Sequence, residues 1–286
     1  MGITKDEVKR LKKFAAQIRM ETVKCVGTRG FGHLGGALSV VETLAVLYGG
    51  VMKINPQDPN WKGRDKLVMS KGHAGPALYS VLALKGYFPM DWLKTLNQPG
   101  TRLPSHCDRK LTPGVDMTTG SLGQGVSTAI GLALAQKMDG FDTRTYLVTG
   151  DGELDEGQTW EGALFAPQHN LTNLIWLVDY NRKQLDGHTI EVIDMGDIAA
   201  KFTSFGWYAQ SIAGNEVEAI ALAIEKAQAE TAKPSCIVLN TIKGAGVPLV
   251  EAIELNHHIV FEGEIFEKSV AYLETVLAEL EQGEGS

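Results

Sequence analysis

Apolar residues at Val8, Leu11, Ala15 and Ile18, with Thr22 one turn on, follow helical spacing and predict an opening helix that ends before the glycine-rich segment 27–36. A second apolar helical run covers Ser39 to Met52, with Ser39 placed as its N-cap. Asn55-Pro56 and Asp58-Pro59 then predict a turn. From there a short apolar run, a polar loop and a helical stretch alternate. The strands predicted are Lys66 to Met69, Thr145 to Val148, Asn173 to Asp179, Trp207 to Ile212 and Ser235 to Leu239. The helices are Gly75 to Lys85, Gln124 to Met138, Gly157 to Gln168, Asp197 to Phe205 and Val217 to Ala229. Alternation of this kind predicts an α/β fold, a doubly wound and mostly parallel sheet with helices on both faces. The strands read as nearly continuous apolar runs, as strands covered on both sides should. Phe266, Val270, Leu273, Leu277 and Leu280 predict an amphipathic C-terminal helix, followed by a frayed tail over Gln282 to Ser286. With no internal repeat, low-complexity linker or shift in composition, a single domain over residues 1–286 is the simplest organisation.

Charge narrows the partners. The chain has 286 residues and a net charge of −7, and its basic residues are dispersed, so it offers no platform for nucleic acid. The densest basic stretch, Lys5 to Lys13, interleaves with Val8 and Leu11 at helical spacing and reads as a solvated helix face. No apolar run is long enough for a membrane span, and none follows the basic stretch as a secretory signal would require. Three widely spaced cysteines, Cys25, Cys107 and Cys236, suit a reducing cytoplasm without a disulfide framework. The 32 glycines exceed the usual ~7% share and mark either turns or backbone that approaches a ligand closely.

Ligands of open α/β sheets bind beyond the carboxyl ends of the strands. Two loops there carry chemistry: Gly150-Asp151-Gly152-Glu153-Leu154-Asp155-Glu156-Gly157, and Asp179-Tyr180-Asn181. Glycines beside Asp151 admit a phosphate, and the following helix N-terminus offers free amides. Asp151 and the Asn181 side-chain oxygen would share one hard cation, magnesium or calcium, with phosphate oxygens. A bare Gly-Asp-Gly signals a turn as readily as a site; its pairing with Asn181 at a second strand end is the stronger observation.

That pair, with the run Gly150 to Gln158, resembles the diphosphate and metal motif of thiamine-diphosphate enzymes in its transketolase form. Gly32-His33-Leu34-Gly35-Gly36 and Ser70-Lys71-Gly72-His73-Ala74-Gly75-Pro76 resemble the two histidine loops of transketolases. Thr118-Thr119-Gly120-Ser121-Leu122-Gly123 is similar to the stretch whose backbone holds the aminopyrimidine ring. Thr241-Ile242-Lys243-Gly244, with His257 beyond it, is similar to the segment that closes the cofactor-binding domain. The motifs stand in family order from residue 33 to 257.

The resemblance implies the diphosphate-binding (PP) domain of a transketolase. Such enzymes cleave a ketose beside its carbonyl and pass a two-carbon ketol unit to an aldose, with thiamine diphosphate as the electron sink. It implies His33, His73, His106 and His257 as catalytic groups. His73, Gly120, Ser121, Leu122, Asp151, Gly152, Glu156, Asn181, Lys243 and His257 are implied to bind cofactor. Asp151, Asn181 and the carbonyl oxygen of Lys183 are implied to hold Mg2+ or Ca2+. Two contexts depart from the family: His106 lies in Pro104-Ser105-His106-Cys107-Asp108 rather than Gly-His-Pro-Glu, and Asn256 precedes His257 where Trp is usual. Glu156 is implied to hold a glutamate of a neighbouring subunit; on its own terms it equally complements a helix dipole. His169, His188 and His258 read as solvated or structural. By the resemblance, the pyrimidine-binding domain, with the glutamate that activates the cofactor, is expected to lie on another chain. The expected partner is therefore a separate C-terminal transketolase subunit, in an α2β2 assembly acting on sugar phosphates. The competing readings are a 1-deoxyxylulose-5-phosphate synthase-like or 2-oxo acid dehydrogenase-like subunit, and a non-catalytic paralogue.

Overall fold

Five short apolar runs pair as one parallel sheet: β1 (Lys66–Met69), β2 (Thr145–Gly150), β3 (Leu174–Tyr180), β4 (Tyr208–Ala213) and β5 (Ser235–Asn240). They stand in the order β1-β2-β3-β5-β4, every pairing parallel. This computed structural model describes residues 2–282. The seven longer helices are α1 (Lys5–Arg29), α2 (Gly75–Leu84), α3 (Gln124–Met138), α4 (Gly157–Gln168), α5 (Ile198–Ser204), α6 (Val217–Ala229) and α7 (Glu264–Gln282).

Strand side chains alternate between two cores because successive residues face opposite sides of a sheet. Tyr146, Val148, Ile175, Leu177, Ile237 and Leu239 join a cluster with residues of α1, α2, α6 and α7. Their neighbours Leu147, Leu174, Trp176, Val178, Cys236 and Val238 join a second cluster with α3, α4 and α5. The sheet is thus doubly wound. All its strands run the same way, so every strand-to-helix loop of β1, β2, β3 and β5 emerges on one edge, and the first three strands lie side by side there.

Two helix expectations need correction. α1 does not stop before Gly27; it continues to Arg29 and is capped by Gly30 in the left-handed conformation at φ 84°. Gly27 is a crossing point rather than a breaker, since a Cβ there would lie 2.2 Å from the Phe266 ring of α7. The stretch from Ser39 to Met52 is not one helix with Ser39 as N-cap. A short helix spans Gly35–Leu38, another spans Val41–Val46, and a wide turn covers Leu47–Val51. The Ser39 hydroxyl is committed to Asp179 Oδ2 at 2.7 Å and to the Gly36 carbonyl at 3.2 Å, so it has no role as a cap. Of the predicted frayed tail, Gln282 closes α7 and residues 283–286 lie outside the described residues.

Among the described residues no helix is long and apolar enough to cross a membrane. Cys25, Cys107 and Cys236 are free and buried.

Trp176 anchors the second core. It is fully buried, meets Phe202 and Trp207 edge-on at 5.0 and 5.6 Å, and donates to the Thr149 hydroxyl at 2.9 Å. Trp176→Ala is expected to cost about 3 to 5 kcal/mol, measured as a fall in the denaturant midpoint.

Candidate active site

The loops beyond β1, β2, β3 and β5 enclose a cleft of about 520 Å³. β1 delivers Lys71 and His73, β2 delivers Asp151 to Glu156, β3 delivers Asn181 and Lys183, and β5 delivers Lys243. His33, His106 and His257 come from loops outside the sheet, and Gly120 and Leu122 from the loop before α3. Every residue singled out from sequence as catalytic, cofactor-binding or metal-ligating lines this cleft except Ser121, which is exposed and absent from the lining.

Beneath the cleft lies a polar network that the motif reading did not single out. Lys71 and Asp179 are both fully buried, with Nζ 2.5 Å from Oδ2. The same oxygen accepts from Ser39 Oγ and from Asn181 Nδ2, each at 2.7 Å, while Oδ1 accepts from Thr241 Oγ1. Burial alone would raise the Asp179 pKa, but Lys71 and the hydroxyl donors outweigh it and hold the carboxyl below its ordinary value. Glu153, also buried, accepts from Ser70 Oγ and from the amides of Gly123 and Gly150. A sequence signal existed for these residues: charged groups beside buried strand ends are rarely left without partners.

The histidines converge because two distant loops are stitched together. Phe31-Gly32 pairs antiparallel with Ile259-Val260, and the Gly35 amide donates to the Asn256 carbonyl at 3.2 Å. This sets the His33 ring 5.3 Å from His257, 5.1 Å from His106 and 5.8 Å from His73. His73 and His257 are 4.6 Å apart. Gly120 makes room for His106, since its φ of 136° disfavours a side chain and a Cβ would lie 3.0 Å from that ring. His258, read from sequence as solvated or structural, is exposed but sets its ring 4.8 Å from His33. His169 stacks on Phe165, and His188 pairs with Glu254.

Burial, then neighbouring positive groups, lowers the His33 pKa to about 4 and the His257 pKa to about 3. Burial and Lys71 push His73 well below its ordinary value, and burial lowers His106. At neutral pH the cluster is therefore four uncharged imidazoles, each with one donor and one acceptor nitrogen.

Across the cleft Asp151 is buried beside Asp179. Burial and that like charge raise its pKa to about 6, although the amides of Gly152 and Arg182 donate to it. Asn181 turns its amide nitrogen inward to Asp179, leaving Oδ1 to accept from the Lys183 amide. Lys243 Nζ donates to the Lys183 carbonyl at 2.6 Å and sits 3.2 Å from His257 Nδ1. Burial and Lys71 lower the Lys243 pKa to about 8. Among the described residues no group of three or more His, Cys, Asp and Glu side chains is placed to hold a metal. The available donors are instead one carboxylate, one amide oxygen and one backbone carbonyl. Glu156 occupies the N-cap position of α4, exposed, and makes no capping hydrogen bond.

A parallel α/β sheet that gathers histidines at one end of a cleft and oxygen donors at the other defines a cofactor-binding enzyme domain. The family model described as "Transketolase, thiamine diphosphate binding domain" matches residues 11–271, and the chain belongs to the transketolase family. It is 50% identical to the 6-deoxy-6-sulfo-D-fructose transketolase subunit SqwG of Clostridium sp. (strain MSTE9), over 92% of this chain and 96% of that protein. It is 38% identical to an apulose-4-phosphate transketolase subunit of Actinobacillus succinogenes, over 92% of this chain and 95% of that protein. The crystal structure of a transketolase R525L mutant from Pichia stipitis matches with a TM-score of 0.84 at 30% identity, covering 95% of this chain. This chain spans 45% of that one.

Two outcomes are expected. Lys71→Met leaves the Asp179 carboxylate buried without its cation and costs about 3 to 5 kcal/mol by denaturant titration, part of which Asp179→Asn in the same chain restores. The acid limb of stability carries the histidines. Because the folded-state pKa of His33 lies below its unfolded value, the unfolded chain binds more protons between pH 6.5 and about 4, and stability falls as pH falls through that window. Thermal melts should therefore show a shallower acid loss for His33→Gln than for the parent over that range.

Proposed function

We propose that this chain is the diphosphate-binding subunit of a two-component transketolase. The observation that carries the reading is the convergence, in one cleft, of four neutral imidazoles with Asp151, Asn181 and Lys243. When bound, thiamine diphosphate supplies the electron sink for the carbon–carbon bond that breaks, a role no side chain fills.

The residues of this chain divide the remaining work. Asp151, Asn181 and the Lys183 carbonyl are all-oxygen donors, the set that suits Mg2+ or Ca2+. Asp151 fits such an ion because its carboxylate is buried beside a second one and gains from a nearby cation. The Lys183 carbonyl already accepts from Lys243, so a metal there shares that oxygen or displaces the ammonium. Lys243 and His73 offer positive or donor character to a diphosphate, while the Gly152 amide, which donates to Asp151 Oδ1, would have to leave that carboxylate to reach a phosphate. Gly120 and Leu122 present backbone to the aminopyrimidine end, while Ser121, exposed and outside the cleft lining, is left without a part there. Glu156, exposed in the cleft lining, would meet a neighbouring subunit.

His33, His73, His106 and His257 hydrogen-bond the hydroxyls of an extended sugar. A neutral imidazole among them takes the proton of the hydroxyl beside the breaking bond and returns a proton when the acceptor adds.

The partner is a separate subunit carrying the pyrimidine-binding domain and an activating glutamate, in an α2β2 assembly in the cytoplasm. What supports a separate subunit is the match over nearly the whole length of proteins named as transketolase subunits, against less than half of the Pichia stipitis chain. The donor is a ketose with a terminal anionic group. The relative at 50% identity is named for 6-deoxy-6-sulfo-D-fructose, which makes that sulfonated ketose the first donor to assay, beside fructose 6-phosphate.

The chain supplied with thiamine diphosphate and Mg2+ is expected to transfer no ketol unit above background, and to do so once its co-purified partner is added. Robust turnover by the chain alone, or none from the pair with any ketose donor, would overturn the assignment.

A further inference from the structure

We infer that Glu153 is a positioning residue that locks the pyrimidine-side loop to the diphosphate-side loop and so fixes the distance between the two ends of the cofactor site. The inference rests on the cofactor reading above. Three segments meet on this one buried carboxylate. Ser70 Oγ, at the end of β1, donates to Oε1. Gly123 N, at the start of α3, donates to the same oxygen at 2.8 Å, and Gly150 N, at the end of β2, donates to Oε2 at 3.2 Å. The Glu153 backbone is held in turn, since its carbonyl accepts from Thr159 Oγ1 at 3.0 Å and the Leu154 carbonyl accepts from Trp160 Nε1 at 2.8 Å. The carboxylate is thus a fixed post rather than a mobile side chain.

What it fixes follows from peptide geometry. The peptide between Leu122 and Gly123 is trans, as are all the peptide bonds described, so its carbonyl points opposite to its amide. With the Gly123 amide aimed at Glu153, the Leu122 carbonyl is held facing away from it. The other end of this loop is tied down separately, by Thr119 Oγ1 to the Met69 carbonyl at 2.7 Å and Thr119 N to the Cys107 carbonyl at 3.0 Å. Residues 120–122 therefore hang between two anchors, and of these only Glu153 also grips β2, one residue before Asp151. A carbonyl of fixed direction is the complement of an amino group on a ring, while Asp151 serves the phosphate end. The ends are coupled through this buried side chain, with the exposed Gln124–Gln158 contact as the other side-chain link between the two segments.

The chemistry requires an acid at this position. Three donors converge on two oxygens and no acceptor faces them. In Glu153→Gln the amide cannot satisfy both backbone N–H groups in either orientation, because its NH2 opposes Gly123 N–H in one and Gly150 N–H in the other. The Ser70 hydroxyl can rotate; the two backbone amides cannot.

The test uses the full chain with its partner, and the chain alone for hydrogen exchange. E153Q should raise the dissociation constant and the KM for thiamine diphosphate by about tenfold while kcat at saturating cofactor changes by less than about threefold. In the chain without cofactor, E153Q should also speed amide exchange across residues 119–124 and leave α1 unchanged. Ser70→Ala, which keeps both amides bonded, should weaken cofactor binding by about threefold and decides the matter if E153Q does not fold. Parental exchange across 119–124 together with parental cofactor affinity, in E153Q or, failing that, in S70A, overturns the proposal. If the parent chain and its partner bind no thiamine diphosphate, the proposed function falls instead, and the exchange comparison alone decides for Glu153.

Discussion

An ammonium group and a carboxylate held out of water at the ends of parallel strands are costly to place and costly to separate. In this protein Lys71 and Asp179 form that pair, reaching across the strand that lies between theirs. Three further donors complete the Asp179 carboxylate, and each comes from a segment that shapes the cleft: Ser39 from the first histidine loop, Asn181 from the end of β3, and Thr241 from the loop that carries Lys243. The orientation of Asn181 follows directly. With its nitrogen committed to Asp179, its oxygen is the atom left to serve a ligand.

A second buried network supports the same edge from behind. Arg19 of α1 donates to the Ala245 carbonyl at 2.9 Å and pairs with Glu42, while Asn215 bonds Glu42 and receives the Ile242 amide at 2.8 Å. The segment carrying Lys243 is thereby gripped from two sides. Electrostatics of the cleft then divide by location. The histidine end is partly buried and lies near Lys71 and Lys243, which favours neutral imidazoles; the aspartate end has two carboxylates close together, which favours an incoming cation.

β1, β2, β3 and β5 were legible because each is an apolar run largely buried in the sheet; β4, the edge strand, is half-buried to exposed throughout and is not covered on both faces as the pattern predicts. The parallel sheet then made the strand-end loops the place to look, and Asp151, Asn181, His73 and Lys243 followed. What stayed hidden was polar and structural. Lys71 and Glu153 sit inside motifs read for their neighbours, and nothing in linear spacing says that a lysine after β1 meets an aspartate at the end of β3. Ser39 was misread for the same reason: its local context fits a helix cap, and only the fold reveals a stronger acceptor. Gly27 looks like a breaker until α7 crosses it. His258 gave no signal, because its place beside His33 depends on a two-residue ladder between segments more than two hundred positions apart.

We propose that the strand-end cleft binds thiamine diphosphate through a divalent cation held by Asp151 and Asn181. Calorimetric titration of thiamine diphosphate into the chain with its partner, with Mg2+ and with chelator, tests it most directly. Saturable binding at one site per chain is expected, and it should disappear on chelation and in Asp151→Ala. Binding that survives both changes, or no binding by the parent in Mg2+, would contradict it.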